Sequence, residues 1–202
     1  MKINWYQTLL TTSFFTSLSL ATTASAAILV DSYSYGVSPT SSYPDSGGEL
    51  TDGVADVPTW GHDTTIRSGD TPPFVGWLNT NGSIEFFFDQ DYTFGSVTIW
   101  VADSDNAAGV GLPNTITVSD ANSSFTKTTT VTNPAGSGYM LPVTIDNLNV
   151  TTDELHVSFT RNHQWTMLTE VTFASVPEPS SSCLLGIGLT TLTLHRRRKT
   201  LR

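Results

Sequence analysis

The stretch Ser83–Asp103, SIEFFFDQDYTFGSVTIWVAD, decides the fold class. In its first half Ile84, Phe86 and Phe88 fall on one face while Glu85 and Phe87 fall on the other. In its second half Val97, Ile99 and Val101 alternate with Thr98 and Trp100. A period of two is the signature of an extended strand with one face turned to a core. Asp89-Gln90-Asp91 separates the halves and reads as a turn between two strands.

The same alternation continues downstream in NTITVSD (114–120), SFTKTTTV (124–131), YMLPVTIDNL (139–148), ELHVSFT (154–160) and WTMLTEVTF (165–173). Gly109 to Pro113, Asp120-Ala121-Asn122 and Asn133 to Gly138 supply turn residues between them. No run of helical periodicity stands between Ala27 and Ser175. Many short strands with long connections in a segment of this length predict an all-β protein, a jelly-roll β-sandwich.

Outside that segment both ends read as addresses. Met1-Lys2, the mostly apolar Leu9–Ala21 and the small-x-small triplet Ala24-Ser25-Ala26 have the order of a secretory leader, cut after Ala26. At the other end VPEPSSSCLLGIGLTTLTLHRRRKTLR (176–202) joins a proline pair, a short apolar run and a basic cluster. The run from Cys183 to Leu194 makes ~18 Å of helix against a hydrocarbon core of ~30 Å, a marginal span. Arg196–Arg198 hold their end in the cytoplasm, so the chain before Pro177 faces outward. The expected organisation is a leader at 1–26, a β-sandwich at 27–175 and a tail at 176–202.

Composition narrows the partners. Only 13% of the chain is charged, against ~25% in an average soluble protein. Residues 27–175 hold 17 acidic residues against Arg67, Lys127 and Arg161, a formal −14. Such a surface repels nucleic acid and acidic polymers and favours neutral glycans or calcium. The single cysteine, Cys183, allows no intrachain disulfide and no thiolate zinc site.

Three clusters bear on chemistry. GGELTDGVADVPTW (47–60) sets Glu49, Asp52 and Asp56 around a glycine turn, and hard cations take six to eight oxygens from such loops. Asp52 is equally able to close an Asx turn, with Glu170 solvated on a strand's outer face. Trp60, His62, Asp63, Arg67 and Trp77 combine aromatic faces with polar groups in or beside a long loop, the equipment of a sugar platform. The other reading makes both tryptophans packing residues and pairs Arg67 with Asp63 or Asp70. DSDNAAGVG (103–111) lacks the closing glutamate and flanking helices of an EF-hand. Nothing marks a nucleophile: no serine sits in a Gly-x-Ser-x-Gly elbow, and His156 and His163 lie on an outward strand face and in a turn. The chain is expected to be non-catalytic.

Two resemblances follow from these residues. Val176-Pro177-Glu178-Pro179, the apolar run and the terminal Arg/Lys resemble the PEP-CTERM sorting tail of exopolysaccharide-producing Gram-negative bacteria. That resemblance implies an exosortase-type processing enzyme acting at Pro177, Glu178 and Pro179, transient anchoring in the inner membrane, and delivery to the cell surface or extracellular matrix. Leu50-Thr51-Asp52-Gly53 with WTMLTEVTF resembles the galactose-binding-like fold of discoidin and coagulation-factor type C domains. It implies a structural calcium held by Asp52 and Glu170, with Asp56 and Thr59 as further ligands. It also implies a glycan site on the loops at Trp60, His62, Arg67 and Trp77. The function expected is that of an exported carbohydrate-binding module binding a neutral glycan or exopolysaccharide. The alternative is a structural matrix protein with no defined sugar site.

Overall fold

The computed structural model describes residues 25–55, 73–134 and 139–176. They fall within one compact unit, 24–178. The described residues form eight strands: β1 (Ala27–Ile28), β2 (Ser32–Val37), β3 (Val75–Leu78), β4 (Gly82–Asp103), β5 (Thr115–Asp120), β6 (Thr126–Thr130), β7 (Tyr139–Thr160) and β8 (Trp165–Ser175). Apart from short 3-10 turns at Glu49–Thr51 and Ala107–Gly109, no helix occurs among the described residues.

The hydrogen-bonded order is β1-β8-β4-β7-β5-β6, with β2 added to β4 and β3 to β8, all antiparallel. Two strands of 22 residues, β4 and β7, run beside each other and belong to both layers. Their Gly82–Phe87 and Glu154–Thr160 parts lie with β2, β5 and β6. Their Phe94–Asp103 and Tyr139–Val150 parts lie with β8, which carries β1 and β3 on its far edge. The layers meet through rings: Phe86 stands edge-on to Phe173 at 5.0 Å, and Trp77 to Phe159 at 5.0 Å. This is the expected all-β jelly-roll sandwich.

Alternation along Ser83–Asp103 holds, since Ile84, Phe86, Phe88, Phe94, Val97, Ile99 and Val101 are all buried. The turn expected at Asp89-Gln90-Asp91 does not divide two strands. Between Phe87 and Tyr92 the β4 chain runs four residues against one on β7, so a bulge bends a continuous strand from one layer into the other. A second bulge lies at Gly95, where Phe94 and Val97 both face the core.

Trp77 corrects one expectation outright. Its ring is fully buried, its indole N–H donates to the Val37 carbonyl at 2.8 Å, and it packs against Tyr35 and Phe159. A ring with no exposed face cannot stack on a sugar, so Trp77 is a core residue. A smaller apolar cluster of Phe74, Ala102, Val110, Met140 and Met167, with Tyr43, Trp100 and Trp165 against it, is separate from the main core.

Candidate functional site

The acidic loop after β2 is built around Asp45. Its carboxylate accepts hydrogen bonds from the Tyr33 hydroxyl and, at 2.7 Å, from Tyr35. It also accepts the backbone N–H groups of Gly47, Gly48 and Glu49 at 3.3, 2.9 and 3.3 Å. Burial opposes ionisation, but hydrogen bonds from both phenols and the Gly48 N–H hold this carboxyl well below the usual carboxylate range. Burial and the same carboxylate push both tyrosine hydroxyls up. Glu49 in turn accepts the N–H of Ser46 and of Gly47 at 3.1 Å.

This fixed start delivers the 3-10 turn Glu49–Thr51, whose Leu50 is buried in the main core. Asp52 caps that turn, and Gly53 follows at φ +83°, a conformation glycine adopts without strain. The Asp52 Oδ1 accepts the Val54 N–H at 2.8 Å, so the Asx turn, the alternative reading of this residue, is present.

The loop then closes on β8. A bulge places Glu170 opposite Trp100 and Leu168 opposite Val101, leaving Thr169 as the extra residue. Thr169 donates its hydroxyl to the Ala55 carbonyl at 2.9 Å, and Gly53 donates its N–H to Glu170 Oε2 at 3.0 Å. Glu170 is therefore not solvated: only 4% of it is exposed. Burial pushes its carboxyl up to about 7; the Asp52 carboxylate beside it adds to the rise, and the Gly53 N–H opposes it.

The structure thus brings Asp52 and Glu170 together. Both donors are oxygens, which suits a hard divalent ion. Among the described residues no group of three or more His, Cys, Asp or Glu that could hold a metal ion occurs. Asp56, Thr59, Trp60, His62 and Arg67, with Pro177, Glu178 and Pro179, lie outside the described residues. Sequence reasoning missed Asp45, the hub of the loop. Its signal was present in Asp45-Ser46-Gly47-Gly48-Glu49, a carboxylate followed by consecutive backbone donors.

The root of the loop that carries Trp60, His62 and Arg67 is nonetheless defined. On one side Ala55 is held by Thr169; on the other Val75 pairs with Leu168. The described residues on either side of segment 56–72 thus meet neighbouring residues of β8.

Comparison with known proteins places the chain. A family model for the DS-like domain of discoidin domain-containing receptor 1/2 matches residues 15–175. The chain belongs to the DS-like domain family. A second model, for the PEP-CTERM protein-sorting motif, matches residues 175–199 and marks an exported protein with a membrane-anchoring tail. Solved structures similar to this DS-like chain include a fucose-binding module of Streptococcus pneumoniae, SpX-3, at 14% identity, covering 73% of this chain and 96% of that one, with a TM-score of 0.48. The family 32 carbohydrate-binding module of C. perfringens NanJ, in complex with galactose, is 12% identical over 75% of this chain and 100% of that one, at TM-score 0.47. Reduced XRCC1 bound to the DNA pol beta catalytic domain is 12% identical over 75% and 100%, at 0.45. A search of the curated proteins finds no match. No helix among the described residues is long and apolar enough to cross a membrane; the segment expected to do so, Cys183–Leu194, lies outside them.

Proposed function

We propose that this DS-like domain is an exported, non-catalytic carbohydrate-binding module of a Gram-negative cell surface or extracellular matrix. In this proposal an exosortase-type enzyme processes the tail at Pro177–Pro179, after transient anchoring in the inner membrane. The loop 56–72 takes a neutral glycan through Trp60, His62 and Arg67. One observation carries the reading: the described residues that flank this segment, Ala55 and Val75, are tied to β8 at Thr169 and Leu168, beside the buried Glu170 and the exposed Asp52 next to it.

Chemically, the arrangement does two things. A rigid root lowers the ordering cost of a binding loop, which raises affinity without new contacts. An aromatic face then covers the C–H side of a pyranose, and imidazole and guanidinium reach its hydroxyls. A calcium ion at Asp52 and Glu170, with Asp56 and Thr59, would neutralise two adjacent carboxylates and stiffen the same root.

The test is a calorimetric titration of residues 27–175 with neutral glycans, with calcium and with chelator. One stacked ring with a few hydroxyl contacts gives a Kd of ~0.1–1 mM. Trp60→Ala should abolish binding with the fold intact, and chelation should weaken it. Equal binding by wild type and Trp60→Ala would refute the site. No binding by either would leave the structural matrix protein.

A further inference from the structure

The described chain ends in an unusual junction between its first and last residues. In β8, Phe173 and Ala174 pair with Ile28 and Ala27 of β1. The pairing runs on past β1: the Ser175 N–H donates to the Ala26 carbonyl at 2.9 Å, the Ala26 N–H donates to the Ser175 hydroxyl at 3.2 Å, and the Ser25 hydroxyl donates to the Ser175 carbonyl. On the opposite edge Ser175 lies across from Phe94, and the Val176 N–H donates to the Thr93 carbonyl at 3.1 Å. Gly95 permits this approach, because a Cβ there would sit 2.7 Å from the Ser175 carbonyl oxygen. A cleft of about 390 Å³ opens at this point, walled by Ser25, Ser96, Asp146, Asn149 and Val176 among others.

Three of these contacts belong to residues expected to leave. Cleavage after Ala26 removes Ser25 and Ala26, and with them the acceptor of the Ser175 N–H, the donor to its carbonyl and one wall of the cleft. One strand edge of Ser175 is then open, while the β4 edge stays paired. The sorting box begins at once: Val176 is the last described residue and Pro177 follows it with no spacer. Two of the three box residues are prolines without an N–H, so main-chain recognition of the box itself has one donor, Glu178. The donor nearest upstream that no strand of the domain then uses is that of Ser175.

We propose that the edge of Ser175, vacated by removal of the leader, is the docking edge of the tail-processing enzyme, which lays an extended strand of its own along it to position Pro177–Pro179. Strand addition to a free sheet edge draws affinity from main-chain hydrogen bonds, and Ser25-Ala26 show that this edge accepts an extended chain. The inference rests on the sorting reading and on cleavage after Ala26.

The test uses the full chain in its own host, with pulse labelling to follow tail removal and N-terminal sequencing to fix the start of the mature protein. Thr22→Ala with Ala26→Leu moves the small-x-small site upstream, so that the mature chain starts at Ser25 and fills its own edge. Tail removal should slow by about tenfold, the order that main-chain hydrogen bonds of ordinary net strength are worth. Ser175→Pro, which deletes the open donor but leaves the β4 edge paired, should slow it comparably. Wild-type rates in both variants would overturn the proposal. A concentration-dependent dimer of the mature wild type that is lost in the first variant would also overturn it, by giving the edge to a second copy. A wild-type chain that keeps its tail would instead overturn the sorting reading, and this inference with it.

Discussion

Consider the domain melted in chelator at a series of pH values between 5 and 8. Glu170 is the group to watch, because burial pushes its carboxyl from 4.5 to about 7 in the folded state. At about 1.4 kcal/mol per tenfold change, the difference is worth about 3 kcal/mol. The sign follows from proton binding. Above 4.5 the unfolded chain has released this proton while the folded domain still holds it, so each rise in pH favours unfolding until about 7. Stability should therefore be greatest near pH 5 and fall by up to about 3 kcal/mol toward pH 8, or roughly 6–12 °C in Tm for a domain of this size. Glu170→Gln cannot ionise and should flatten that slope. Calcium should do the same from the other side, raising Tm more at pH 8 than at pH 5, because both carboxylates are then available as ligands. The depressed carboxyl of Asp45 acts only under more acidic conditions and does not disturb this window. A wild-type Tm that rises from pH 5 to 8, or that parallels Glu170→Gln, would refute the buried-carboxylate argument.

Three further outcomes follow from the same structure. Trp77→Ala should cost about 3–5 kcal/mol and collapse the fold, as deletion of a buried aromatic ring does; a Tm within a degree of wild type would return Trp77 to the surface. Gly82→Ala would place a methyl 1.9 Å from the Phe159 ring, an overpacking worth about 1–3 kcal/mol. Chemical denaturation should show that loss, with partial recovery in the double variant Gly82→Ala/Phe159→Leu, and additive losses would count against the clash. Replacing Pro177, Glu178 and Pro179 with alanine should leave the protein accumulating in the inner-membrane fraction, whereas normal delivery would reduce the tail to an ordinary anchor.

The fold was legible because its core strands obey a period of two. Ile84, Phe86, Val97, Ile99 and Val101 were assigned to the core by alternation alone, and all are buried. What alternation could not show is where a strand bends rather than ends. Asp89-Gln90-Asp91 carries turn chemistry, yet β7 remains paired on both sides of it and the strand continues. Trp77 misled for a related reason: aromatic residues suit cores and sugar platforms alike, and only the partner layer, here Phe159, separates the two. Asp52 and Glu170, 118 positions apart in sequence, were paired through the family resemblance. The physical reason they meet lies in the Gly53 turn, which the Asp-Gly pair signalled, and in the Thr169 bulge, which no residue pattern announces.

Sugar recognition by segment 56–72 is tested most directly by a broad array of neutral glycans probed with residues 27–175. Binding should appear on neutral glycans, disappear with Trp60→Ala at unchanged Tm, and be absent from nucleic acid under the same conditions. An array on which the folded, calcium-loaded wild type binds no glycan would contradict it.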